Sequence, residues 1–124
     1  MVPVFCALTH DGKGQLLNTN ADSITTELGI ALADKFTVDL VFCFEKQGVL
    51  KNINDENSVV PSINSENYTR LKKEGIISAG MIPKIDNAFR ALRGGVGNVY
   101  ITHFHSLTDI LRLDNRKGTR IFLE

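Results

Sequence analysis

The eleven residues Glu74-Gly75-Ile76-Ile77-Ser78-Ala79-Gly80-Met81-Ile82-Pro83-Lys84 set the reading of everything around them. Gly75 is the residue type that closes a helix, and Pro83 is the type that opens the next one within its first turn. Residues 76–81 are therefore a loop that hands one helix over to another. Lys84 then falls in a first turn, where its charge opposes the helix dipole. A bound phosphate resolves that conflict, because terminal amides and a lysine both favour negative charge. Gly80 would let the backbone come close to such a ligand. The competing account is a surface lysine whose long stem carries its charge to water.

Upstream of this stretch, Asn64 is placed to cap a helix running to Glu74, with Tyr68 and Leu71 facing inward. Downstream, Ile85, Phe89 and Leu92 recur at helical spacing before Gly94-Gly95. Residues 98–102 read as a strand, Ser106 with Asp109 as a capping box opening a short helix to Leu113, and residues 119–123 as a closing strand. The first half alternates in the same way. Residues 2–8 read as a buried strand, Asp11-Gly12 and Gly14 as hairpin turn residues, and residues 15–18 as the returning segment. Asn20 should cap a helix over residues 21–33 that buries Ile24, Leu28, Ala31 and Leu32. Residues 37–44 form the next strand, ending in a turn at Gly48, and residues 52–62 a long exposed loop of the kind that often carries function. The alternation predicts an α/β fold, a three-layer sandwich with a mostly parallel sheet flanked by helices. Such sheets bind ligands beyond the carboxyl ends of their strands.

Composition narrows the function classes. A chain of 124 residues has room for one compact domain. Lys+Arg and Asp+Glu number 14 each, and a net charge of zero argues against a nucleic-acid partner. The apolar runs at residues 2–8 and 38–44 are too short to span a bilayer, and no leader pattern opens the chain. The expectation is a cytoplasmic protein with no membrane partner. Cys6 and Cys43 both lie in apolar, strand-like runs and are expected to be buried thiols, since neither a disulfide framework nor a zinc site fits two distant cysteines. His103 and His105, two apart on an expected strand, could share a face and bind metal, but no further ligand is indicated nearby and a solvated strand end is the favoured reading. No metal ligand is assigned.

A second polar cluster, Asn18-Thr19-Asn20-Ala21-Asp22, crowds the entry to the first long helix. Capping accounts for Asn20 and the dipole for Asp22. One cap does not require two asparagines and an aspartate, whereas an anchoring site for a polar substrate would use all three.

Asn18–Asp22 resembles the N-x-N-A-D motif of the acetylglutamate kinases, members of the amino acid kinase family. Residues 74–84 are similar to that family's E-G-x-I-x-G-G-M-I-P-K signature. Gly48-Val49-Leu50 resembles the close of its nucleotide-binding turn, and Gly118-Thr119 its terminal G-T. The matches fall in family order along the whole chain, and the stretch around Lys84 is the specific one. The resemblance implies an amino acid kinase-like C-terminal lobe over residues 1–124, with the N-terminal acyl-glutamate-binding lobe absent. It implies transfer of the ATP γ-phosphoryl group to the γ-carboxylate of N-acetyl-L-glutamate in arginine biosynthesis, this chain being the nucleotide-binding half and inactive alone. By matching position, Lys84 would stabilise the transferring phosphate, Asp22 would hold catalytic lysines, and Asn18 would bind the acylated amino acid. Glu45, Lys46, Gln47, Gly48, Val49 and Leu50, with Ile76, Ile77, Ser78, Gly80 and Met81, would line the nucleotide site. Mg2+ would accompany ATP, and a homo-oligomer is a further expectation.

Departures from the family pattern keep alternatives open. Phe44-Glu45 stands where relatives have Thr-Asp, Gln47 where proline is common, and Ala79 replaces the first glycine of a pair. His103-Phe104-His105 differs from the usual acidic, glycine-containing stretch. N-succinyl-L-glutamate or another amino acid kinase substrate is one alternative, and a non-catalytic ligand-binding module is another.

Overall fold

The computed structural model describes residues 2–112 and 117–124. The chain opens on a hairpin of two three-residue strands, β1 (Leu8–His10) and β2 (Leu16–Asn18), and then enters α1 (Ala21–Ala33). β3 (Asp39–Phe44), β4 (Ser62–Ile63), α2 (Ser65–Lys73) and α3 (Ile82–Arg93) follow. β5 (Asn98–His103), a 3-10 turn over Phe104–Ser106, α4 (Leu107–Arg112) and β6 (Thr119–Ile121) complete it. The expected end of α4 at Leu113 lies outside the described residues.

The main sheet has the order β3-β5-β6-β4. β3 and β5 run parallel from Asp39 opposite Asn98 to Phe44 opposite His103, and β4 runs parallel to β6. β6 is antiparallel to β5, so the sheet is mixed, and with its other two pairings parallel it is the mostly parallel sheet expected. α2 and α3 lie between β3 and β5 and supply the crossover a parallel pair needs, whereas the stretch between β5 and β6, which carries the six-residue α4, returns the chain antiparallel.

Alternation along the strands places Leu40, Phe42, Val99, Ile101 and Ile121 in one buried cluster with Ile85, Ala88 and Phe89 of α3. α1 packs beside α3, where Gly29 lets the helix approach the sheet: a Cβ there would lie 2.9 Å from Leu40 Cδ1. Thr26, fully buried, donates its hydroxyl to the Asn87 carbonyl across the same seam at 3.5 Å. These contacts turn α1 away from the expected face. Its buried residues are Thr26 and Gly29, while Ala31 is exposed and Leu32 is 48% exposed. Ile24 and Leu28 are half-buried along a groove of about 360 Å³ that also touches residues 5–7 and the start of β3.

Residues 2–7 do not form the expected buried strand. Pairing begins only at Leu8, and Val4 and Phe5 are 92% and 62% exposed. An apolar run is buried only when another layer covers it, and the β1–β2 hairpin forms a two-stranded sheet of its own. Both cysteines are exposed for related reasons. Cys6 precedes the first strand, and Cys43 alternates away from the core face that Leu40 and Phe42 occupy.

Candidate functional site

α1 and α3 lie side by side and point the same way. Asp22 meets Lys84, Thr26 meets Asn87 and Glu27 meets Arg90, in rising order along both helices. Their amino ends, each carrying the positive end of a helix dipole, therefore adjoin. At α1 the end is closed: Asn20 accepts hydrogen bonds from the amides of Asp22 (2.8 Å) and Ser23 (3.4 Å), and Asp22 adds an acidic charge in the first turn. At α3 it is open. Met81 makes no side-chain cap, Pro83 brings no amide hydrogen, and the first turn holds no acidic residue.

Lys84 bridges the two. Its Nζ donates to Asp22 Oδ1 at 2.7 Å and lies 5.0 Å from the centre of the Phe42 ring. The lysine side chain is 14% exposed and the aspartate 25%, so the surface-lysine account does not describe it. Carboxylate and ring hold the ammonium at the junction of two positive helix ends, which suits the negative charge of a phosphate.

One helical turn back from Lys84, Met81 lines a cavity of about 580 Å³ beyond the carboxyl end of β3. Of the residues expected there, Glu45, Lys46, Gly48, Val49, Leu50, Ile76, Ser78 and Met81 line it. Gln47, Ile77 and Gly80 do not line it. Ile77 is buried in the core, Gly80 is exposed with no neighbour near it, and Gln47 turns to accept from the Ser106 hydroxyl at 3.5 Å. Ser106 thus has a partner 59 residues away in the same chain where a capping box with Asp109 was expected. Asn18 ends β2, exposed, two residues before the α1 cap.

Thr119 fixes the shape of the turn. Its buried hydroxyl accepts from the Val49 amide at 2.8 Å and donates to the Val60 carbonyl at 2.7 Å. Gly48 is required beside it, since a Cβ there would lie 2.7 Å from that same oxygen. Gly118, at φ +123°, brings the chain into this position with its own would-be Cβ 2.6 Å from the Ile101 carbonyl. The two short matches at residues 48–50 and 118–119 are therefore the two halves of one contact.

Sequence reasoning missed Phe44, Lys51, Asn52, Ile53 and Gly75, which also line the cavity. A lone isoleucine in an asparagine-rich loop was the available signal for Ile53. The histidine reading changes too. The chain leaves the strand at His103 and turns, so that His103 Nδ1 accepts from the His105 amide at 3.2 Å. The rings are no longer alternating strand neighbours but a triangular cluster with Phe104, which lies 4.2 and 4.1 Å from them centre to centre while the two imidazoles are 5.1 Å apart. Among the described residues no three His, Cys, Asp or Glu side chains group as a metal site, and no helix is long and apolar enough to cross a membrane.

A model of the amino acid kinase family matches residues 1–103. The chain belongs to the amino acid kinase family. Among members of that family, the acetylglutamate kinase of Bacteroides fragilis is 50% identical over 121 residues, covering 98% of this chain and 44% of the relative. That of Cytophaga hutchinsonii is 46% identical over 121 residues, again with 98% of this chain and 46% of the relative. The chain thus spans less than half the length of these relatives. Among solved structures, the Streptococcus mutans UA159 protein smu.665 aligns with a TM-score of 0.70 at 32% identity, over 95% of this chain and 41% of that one. Carbamate kinase from Giardia lamblia, bound to AMP-PNP, shares the amino acid kinase fold at a TM-score of 0.66 and 19% identity, over 90% of this chain and 40% of its own.

Proposed function

We propose that this chain is the C-terminal, nucleotide-binding lobe of a kinase that phosphorylates the γ-carboxylate of N-acetyl-L-glutamate. The observation that carries the reading is the Lys84–Asp22 pair at the shared amino ends of α1 and α3, one turn from an apolar cavity of nucleotide size. The name borne by the relatives from Bacteroides fragilis and Cytophaga hutchinsonii supplies the acceptor.

The acceptor carboxylate is itself the nucleophile, so the protein needs no attacking side chain. Phosphoryl transfer of this kind rests on alignment and on neutralising charge around the moving group. Lys84 would sit against that group with the positive amino end of the α3 dipole behind it. Asp22 would keep the ammonium aimed, and the nucleotide base would occupy the cavity. Asn18 would contact the acylated amino acid, most of whose contacts come from an N-terminal lobe. Magnesium would enter with the nucleotide, because that ion is held by phosphate oxygens, water and one or two carboxylates and does not need a protein cage.

Titration with Mg-ADP should raise the melting temperature of the chain, because a ligand that binds only the folded state stabilises it by mass action. Lys84→Ala should reduce that rise at equal nucleotide concentration. A melting temperature unmoved by millimolar Mg-ADP would remove nucleotide binding from this lobe.

A further inference from the structure

Residues 51–58 project from the cavity's rim, between Leu50 and Val59, which bridge each other across the base of the loop. The loop carries its own bracing. The Lys51 amide donates to the Ser58 carbonyl at 2.8 Å, and the Asn52 amide to Ser58 Oγ at 3.0 Å. Ser58 Oγ lies within donating distance of two carbonyls, Asn52 at 3.0 Å and Asp55 at 2.6 Å. Asn52 Oδ1 accepts from the Asn54 amide, and Asp55 Oδ1 from the Asn57 amide, both at 3.0 Å. A loop so tied loses little entropy when a ligand arrives, so whatever it presents is preorganised.

What it presents is Ile53. This side chain lines the cavity and is 67% exposed, with only polar residues beside it in the loop. Phe44, Ile76 and Met81 line the same cavity, and Phe44 is the one aromatic in the lining. A cavity of this size with apolar side chains in its lining and an exposed isoleucine at its rim suits a flat group with two apolar faces and a polar edge. Glu45 and Asn52 reach the same space and offer acceptors and donors for such an edge.

We infer that Ile53 is a specificity-determining contact for the nucleobase, closing on one face of a purine while Phe44, Ile76 and Met81 support the other. Ser58 is a positioning residue that holds Ile53 there. The inference rests on the proposed nucleotide site and deepens it: the base is recognised by this rim, the phosphates by Lys84 and the start of α3. Binding should divide accordingly into a part that needs the base and a part that does not.

Dissociation constants for Mg-ADP and for magnesium pyrophosphate, which lacks a base, test the division by calorimetry. Ile53→Ser should weaken Mg-ADP by about tenfold, the size expected for losing one buried aliphatic contact, and leave pyrophosphate unchanged. Ser58→Ala should weaken Mg-ADP by a smaller factor, also without touching pyrophosphate, which a general loss of structure would not spare. Because Ile53 is largely exposed, its replacement should leave the melting temperature of the free chain near that of the parent. Parent protein that binds Mg-ADP while Ile53→Ser binds it equally well overturns the role of Ile53 alone. Parent protein that binds no Mg-ADP overturns the nucleotide site, and this inference with it.

Discussion

α1 and α3 begin side by side, and they are built in opposite ways. α1 is a capped helix with spare apolar surface: Asn20 satisfies its first amides, yet Ile24 and Leu28 are half-buried and Leu32 is 48% exposed. α3 is an uncapped helix with little to spare: Ile85, Ala88, Phe89 and Ala91 are all buried and Ile82 and Leu92 half-buried, while its amino end has neither side-chain cap nor acid. The difference separates two jobs. α1 is stabilised by its own sequence and only leans on the fold, whereas α3 is held by the core and leaves its amino end available to a ligand. A helix end left open would ordinarily be a local weakness; here tertiary burial holds the helix without it.

The contrast predicts a large effect first. Ile85→Ala should cost about 2–5 kcal/mol in urea unfolding, the range for deleting a buried aliphatic side chain. Leu32→Ala should stay near zero, as for exposed positions. Equal losses would break the comparison. A smaller effect follows at the caps. Asn20→Ala should cost about 1 kcal/mol, because two amides of α1 lose their acceptor. The smallest concerns the tie between α2 and α3. Tyr68 donates its hydroxyl to Asp86 at 2.8 Å, and burial, aided by that bond and by the carboxylate's charge, pushes its phenol well above the usual tyrosine range. A raised folded-state value means that the contribution is complete below about pH 10, the ordinary tyrosine value, and is lost as pH climbs beyond it. Tyr68→Phe should lower stability at neutral pH and flatten its decline above that value. An unchanged alkaline slope would cut this tie out of the account.

What was legible in the sequence was what short-range chemistry decides. Asn20 and Asn64 mark the starts of α1 and α2 because a cap is a contact between near neighbours. The burial face of α1 was not legible, because Gly29 and Thr26 set it through Leu40 and Asn87, residues far along the chain. The run at residues 2–8 misled for the same reason, since apolar residues announce a need for cover and not its presence. At the site, Lys84 stood out against helix electrostatics, but its partner Asp22 lies 62 residues away and came only through the resemblance. Ile53 was hidden because a single apolar residue in a loop is common and says nothing until a cavity is seen beneath it.

The two margins of the main sheet have a bearing on handling that the site does not. On one side β4 is two residues long and follows Pro61, a blunt margin that offers little to pair with. On the other, β3 runs for six residues, Asp39–Phe44, and among the described residues only β5 pairs with it. Beyond Asp39 that strand carries no charge, proline or bulge to deter a newcomer. The chain's formal net charge is zero at neutral pH, so little long-range repulsion keeps copies apart. Colloidal behaviour should accordingly be governed by this one margin, with solubility falling as concentration rises and recovering when an extended segment occupies it.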